Sequence, residues 1–205
     1  MTLTYLLIHK DLYKSVRKCP GTIIRPGIKP KFLAIPLSQI LAWPKLPDPG
    51  DTTKGLEELA TYKGDFTLAA DAKWHAVDLV ALKSSITTET QGEAPSATFL
   101  NKAEYIIGGT DADITGFGRM AINDELVYAQ QDPNGRFRIL GNEMFPVKTT
   151  FAQNSGAGAT DSKTSTLGVE ATDFCPAPYY DGKLETDEGD IKGSDGSAWE
   201  ATNHA

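Results

Sequence analysis

The stretch Leu126–Gly141 constrains the fold of this chain more than any other. It reads Leu-Val-Tyr-Ala-Gln-Gln, then Asp132-Pro133-Asn134-Gly135, then Arg-Phe-Arg-Ile-Leu-Gly. Pro133 fixes φ near about −65°, and Asn134 and Gly135 tolerate positive φ, so these residues favour a turn over a helix. On the near side, Val127 and Tyr128 favour extended backbone. On the far side, Phe137 and Ile139 alternate with Arg136 and Arg138, which puts apolar groups on one face and charge on the other. The pattern predicts a β-hairpin, and the rest of the chain reads as further strands that pair around it.

A chain of 205 residues can build one sandwich or barrel with a real core, and is too short for two large domains. Its 19 glycines and 12 prolines, with 40% hydrophobic residues, fit an all-β domain with many turns and long loops. A net charge of −7 argues against a general nucleic-acid binder that works by neutralising phosphates, and is compatible with a surface that repels DNA. Cys19 and Cys175 are far apart and belong to no metal-spaced cluster, so two free, buried thiols are expected rather than one long-range disulfide. No run of 18 apolar residues is present, so no transmembrane helix is expected. The apolar Tyr5-Leu6-Leu7-Ile8 is too short for a signal-peptide core and runs into His9-Lys10-Asp11. Synthesis in the cytosol, without export by the general secretory route, is the expectation.

Three regions are expected: an N-terminal arm (1–30), a β-sandwich domain (31–180) and an acidic, flexible C-terminal extension (181–205). The arm carries Lys10, Lys14, Arg17, Lys18, Arg25 and Lys29, a basic segment suited to ordering on assembly. Lys31–Ile40 reads as a first core strand, with Pro36 placing it at an edge or bulge. Pro44, Pro47 and Pro49 hold 42–53 as an extended loop. Leu56–Tyr62 reads as a short turn of helix or a strand entry, and Gly64–Ala70 as a strand. Trp74–Leu82 is apolar at most positions, which predicts a strand covered on both faces. Ile86–Glu93 and Ala97–Ile107 complete a meander of two hairpins. One helix is expected after Thr110 or Asp111, with Asp113 at its positive end and Ile114, Phe117, Ala121 and Ile122 at helical spacing. Gly116 and Gly118 each weaken it by roughly 1 kcal/mol relative to Ala. Met144–Gln153 and Lys163–Phe174 read as strands around the glycine-rich, flexible 154–160. Beyond Asp181 the chain looks nearly core-free, with Trp199 as its only large anchor.

The chain offers little that points to catalysis. His9, His75 and His204 are isolated, and His75 reads as a half-buried strand residue rather than a base. There is no nucleophile elbow and no phosphate-cradling glycine loop ahead of a helix. Asp111-Ala112-Asp113-Ile114-Thr115-Gly116 imitates half of a calcium loop, but the twelfth position is Ile122 instead of a bidentate Glu, so a helix start explains it better. Many carboxylates without a recognisable acid/base pair argue for a non-enzyme, with no catalytic, cofactor or metal residue to nominate.

The order of these features resembles a known family. The loop Trp43-Pro44-Lys45-Leu46-Pro47-Asp48-Pro49 precedes the Gly64–Ala70 strand. The Trp74 strand follows, then Thr88-Glu89-Thr90-Gln91-Gly92-Glu93, and Phe99-Leu100-Asn101-Lys102 leading into Tyr105-Ile106-Ile107. A short helix, the Asn134-Gly135 hairpin ending in Ile139-Leu140-Gly141, and a final strand pair complete the series. Across residues 19–174 this order is similar to the tail-tube-like structural proteins of phages and prophages of Bacteroides-type bacteria. The resemblance implies a mainly β fold, a sandwich or small barrel with one flanking α-helix, long loops and extended terminal arms. It implies a self-assembling subunit of stacked, hexameric rings in the virion tail, contacting other tail proteins (tape measure, sheath or terminator). DNA would pass through the lumen without specific binding, with no membrane partner. The arm and the extension after Tyr180 lie outside the matched order, which leaves the tube itself and a terminator or adaptor ring both open.

Two other classes compete. A monomeric β-sandwich binding module, for example for carbohydrate, would use Trp43, Trp74 and Trp199 as a stacking platform. An enzyme on a jelly-roll scaffold would need clustered histidines, which the sequence lacks.

Overall fold

The computed structural model describes residues 14–200. Strand makes up 41% of the described residues and helix 9%, so the protein is mainly β. Among the described residues, fourteen strands, β1 to β14, and two α-helices appear in chain order, with one 3-10 turn at Leu37–Gln39. The two main sheets pack face to face as a sandwich, with a helix against one side. The first sheet has six strands in the order β3(Thr61–Tyr62), β12(Tyr179–Tyr180), β9(Phe137–Leu140), β8(Leu126–Gln131), β1(Lys31–Pro36), β5(His75–Asp78). The second has four, in the order β10(Lys148–Asn154), β11(Thr164–Asp173), β7(Thr98–Gly108), β6(Ser85–Gln91). Two small pairs, β2(Ile40–Ala42) with β4(Thr67–Leu68) and β13(Lys183–Thr186) with β14(Gly189–Lys192), flank the larger sheet. Helices α1(Leu56–Leu59) and α2(Ala112–Ala121) sit in connections.

The predicted hairpin is β8–β9, at the centre of the six-stranded sheet. Gly135 adopts φ +104° and its N–H donates to Asp132 O at 2.9 Å, while Asp132 N–H donates to Arg136 O at 2.8 Å. Positive φ is concentrated on Gly135, as in a type I turn followed by a bulge, and Asn134 does not share it.

Strand periodicity explains why this sheet organises two cores. Along β1, Phe32 and Ala34 face the four-stranded sheet and share a core with its Tyr105, Leu167 and Val169 and with Tyr128 of β8. Leu33 and Ile35 face the other way, onto Trp74, Phe66, Tyr62, Tyr180 and Leu184. The central strands are therefore buried on both faces, and β8 is buried at every position except Gln131.

Several expectations are corrected. β1 is paired on both sides, with β5 and β8, and Pro36 ends the strand instead of marking an edge. The Trp74 segment is the edge: β5 has one partner, and His75 and Asp78 are exposed. It joins the larger sheet, so β6–β7 is a single hairpin and not part of a two-hairpin meander. Only Thr67–Leu68 of Gly64–Ala70 is strand. Asp111 is the N-cap of α2, but its side chain makes no capping hydrogen bond. Gly118 has a packing reason: an added Cβ there would lie 2.4 Å from the Phe151 ring.

The largest correction concerns residues beyond Asp181. Leu184 is 0% exposed, within the second core. The N–H of Trp74 donates to Glu185 O at 2.8 Å, and that of Phe137 to Gly193 O at 2.8 Å. Asp187 and Glu188 face solvent while Leu184, Thr186, Ile191 and the backbone anchor the segment, and Trp199 is 37% exposed. The 154–160 loop is held by the Asp161 carboxylate, which accepts N–H bonds from Ala157 at 2.9 Å and Gly158 at 2.8 Å. Asp161 is held below the usual carboxylate range by those two bonds. Cys175 is buried as expected, whereas Cys19 is exposed; both are free.

Candidate assembly surface

The four-stranded sheet has one face in the core and one in solvent. Along β11 the alternation is regular: Ser165, Leu167, Val169, Ala171 and Asp173 are buried, and Thr164, Thr166, Gly168, Glu170 and Thr172 face outward. The register places Thr166 beside Ile106, Gly168 beside Glu104 and Glu170 beside Lys102 on β7. β6 contributes Ser85, Thr87, Glu89 and Gln91 to the same face, and β10 contributes Lys148, Thr150, Ala152 and Asn154. The result is a hydroxyl-rich surface, crossed by a shallow groove of about 520 Å³ over Gly168.

Charge on this face is arranged in cross-strand pairs. Lys102 Nζ lies 3.1 Å from Glu89 Oε1, and Lys148 Nζ lies 3.3 Å from Glu170 Oε2. Exposed pairs of this kind add little stability, but they leave no ammonium group on the face without a carboxylate beside it. Glu104 has no ion-pair partner among the described residues. Three carboxylates against two ammonium groups leave the face one negative charge in excess.

Among the described residues the sheet is open at both sides: β6 pairs only with β7, and β10 only with β11, each with a seven-residue outer edge that no described strand pairs. Long exposed edges of this kind template further pairing. The sequences Ser-Ile-Thr-Thr-Glu-Thr-Gln and Lys-Thr-Thr-Phe-Ala-Gln-Asn contain no proline or glycine that would break an added ladder. Every pairing in the sheet is antiparallel, so β10 and β6 run in opposite directions.

The sequence-nominated groups do not converge on a chemical site. His75 Nδ1 lies 2.6 Å from Asp187 Oδ2, both more than half exposed, which ties the edge strand to the β13–β14 turn. It is more exposed than expected. His9 and His204 lie outside the described residues. Among the described residues, no group of three or more His, Cys, Asp or Glu is placed to hold a metal ion, and no helix is long and apolar enough to cross a membrane. Asp111 and Asp113 start α2, as the helix reading expected. Trp74 is 0% exposed and packs edge-on to Phe66 at 5.5 Å, and Trp43 also packs edge-on to Phe66, at 5.2 Å. The three tryptophans therefore share no solvent-facing platform.

Burial also sets the chemistry of the interior polar groups. Asn101 is 0% exposed; its amide donates to Cys175 O at 3.1 Å and its carbonyl accepts from Ala177 N–H at 2.9 Å. Burial pushes the Cys175 thiol up to about 11. Burial likewise pushes the Tyr128 hydroxyl up to about 12, despite its 2.8 Å bond to Thr149. Asp173 is 3% exposed and its carboxyl is raised by desolvation, even though Phe174 N–H donates to it. Asp173 lies close enough to Cys175 to help raise its thiol, while Tyr128 sits apart from them beside Thr149.

No family model, no curated protein and no solved structure matches this chain.

Proposed function

We propose that this chain is a structural, non-catalytic subunit of a phage tail tube, closing with copies of itself into rings that stack around a DNA conduit. One observation carries the reading: a four-stranded antiparallel sheet with two free, equally long edges and a solvated, hydroxyl-rich outer face. When copies are related by rotation about an axis, β6 of one meets β10 of the next. The opposite directions of these strands make that junction antiparallel, like every other pairing in the sheet. A heterologous contact repeated about an axis closes a ring where the rotation completes a full turn, and closure abolishes the edges. The outer face then becomes the lumen wall.

The lumen chemistry suits passage of DNA. Affinity for duplex DNA comes chiefly from cations that displace condensed counterions. Lys102 and Lys148 are neutralised by Glu89 and Glu170, and Glu104 adds an unpaired negative charge. Hydroxyl groups form hydrogen bonds that exchange readily with water, so phosphates meet no strong anchor. The hexameric count and the tail location rest on the family resemblance.

Electron microscopy of the purified protein tests the reading. Rings or tubes with a central channel are the expected result. Dispersed monomers at high concentration would refute it and favour the monomeric binding module.

A further inference from the structure

Leu82 is the most exposed large apolar residue described, at 91%, and it sits at φ +62°. The left-handed region is unfavourable for a leucine, and the exposed side chain gains no burial to offset it. The loop that carries it is pinned from below. Val80 N–H donates to Ile106 O at 2.7 Å, and Ser84 Oγ accepts from Ile106 N–H at 2.9 Å. These bonds hold 81–83 proud of the sheet at the end where β7 finishes and β6 begins. Lys83 is exposed beside Leu82.

The other end of the same sheet carries a receptive surface. A cleft of about 170 Å³ is lined by Trp43, Pro44, Leu46, Tyr62, Met144 and Phe174. Met144 is 69% exposed and Phe174 57%, so apolar area here is uncovered within one subunit. Glu143 stands at its wall, and so does Asp173, whose Oδ2 is buried with no hydrogen-bond partner. Asp173 pairs with Phe99 at the start of β7, while Val80 meets its end. Loop and cleft are thus separated by the run of β7 from Phe99 to Ile106, roughly 23 Å.

We propose that Leu82 and Lys83 of one copy dock in the Trp43–Phe174 cleft of a second copy, stacking subunits head to tail along the strand axis. Leu82 fills the apolar cleft and Lys83 meets the carboxylate of Glu143. The occupant is a second copy because the same chain carries an apolar knob beside a cation at one pole, and an apolar cleft beside carboxylates at the other. Engaged end to end, a knob at one pole and a cleft at the other make a heterologous contact that propagates. As the contact between successive rings, the inference rests on the ring-forming reading; the pairwise contact does not.

Cross-linking tests the contact directly. In a Cys19→Ser background, which removes the exposed thiol, Leu82→Cys combined with Met144→Cys is oxidised mildly. A ladder extending beyond dimer on a non-reducing gel is expected, with each single variant stopping at dimer. Leu82→Gly provides a second arm, since glycine relieves the positive φ. An unchanged or higher Tm with loss of long stacks in electron micrographs is the expected result. Lys83→Glu should shorten the stacks, and Lys83→Glu with Glu143→Lys should restore them. Rings that stack as in the unsubstituted protein when Leu82→Gly is introduced, with no ladder, would overturn the contact and leave the ring reading standing. A ladder from a protein that never forms rings would keep the contact and remove the ring reading.

Discussion

Gly116 and Gly118 lie on the same helix and look alike in sequence, yet the fold separates them. Around Gly116 an added Cβ meets nothing within 4 Å, so Gly116→Ala should stabilise the protein by up to about 1 kcal/mol through helix propensity. At Gly118 the same methyl would lie 2.4 Å from Phe151, and overpacking costs typically about 1–3 kcal/mol. Gly118→Ala should therefore lower Tm although it improves propensity; denaturant melts of the two variants check the opposite signs. Asp173 gives a pH-dependent case. Its folded pKa is raised by burial, so the folded state holds its proton more tightly than the unfolded state. Stability from this group is present at low pH and is lost as pH rises from the unfolded pKa through the folded one. Asp173→Asn should thus raise Tm at neutral pH, with the advantage shrinking as pH falls toward the ordinary aspartate range. An advantage that grew on acidification would contradict the buried, under-bonded carboxyl. Neither effect is readable from sequence, because both depend on what a distant segment brings within a few ångströms.

Among the elements, the strands with the strictest alternation were the most legible. The β8–β9 hairpin, β7 and β11 follow from turn chemistry and period-two patterning. The extension beyond Asp181 was misread because its composition is acidic and glycine-rich, and composition does not report one well-placed anchor. Leu184 is 0% exposed against Trp74 and Tyr180's core, and an added Cβ at Gly193 would lie 2.4 Å from Tyr180 O, so the chain passes against the strand it covers. The Trp74 strand does carry apolar groups into both cores, Trp74 and Ala76 on one face and Val77 and Leu79 on the other, but periodicity does not report that it has one strand partner. Truncation after Tyr180 should consequently expose the second core and give an aggregating or non-cooperative product. Leu184→Ala in the full chain should cost about 2–5 kcal/mol. A truncated chain that melts cooperatively near the full-length Tm would show that the β13–β14 pair is dispensable.

At the scale of the whole molecule, the candidate site was only partly legible. The threonine-rich strands were visible, but their common face, the pairing of its lysines and the free edges depend on register, which no short motif specifies. That register makes the conduit reading quantitative. If β6 and β10 join between copies, their outer-edge amides should exchange rapidly in lone subunits and become protected on assembly, while β1 and β8 stay protected in both states. Equal exchange at these edges in both states would argue against edge-to-edge closure. The lumen charge can then be inverted without touching the core. Glu89→Gln and Glu170→Gln together remove the two carboxylates that neutralise Lys102 and Lys148, leaving two ammonium groups against Glu104 alone. The excess on each subunit's face changes sign, and a closed ring multiplies the change by its copy number. The unsubstituted assembly should bind duplex DNA weakly at low salt, with a shallow salt dependence. The double variant should bind tightly and lose affinity steeply as salt rises, with a slope of about −0.9 per phosphate neutralised. Tight, salt-sensitive binding by the unsubstituted assembly would instead assign DNA contact to the basic arm, where Arg17, Lys18 and Arg25 have no carboxylate among them in sequence. The lumen would then hold the duplex in place of letting it slide.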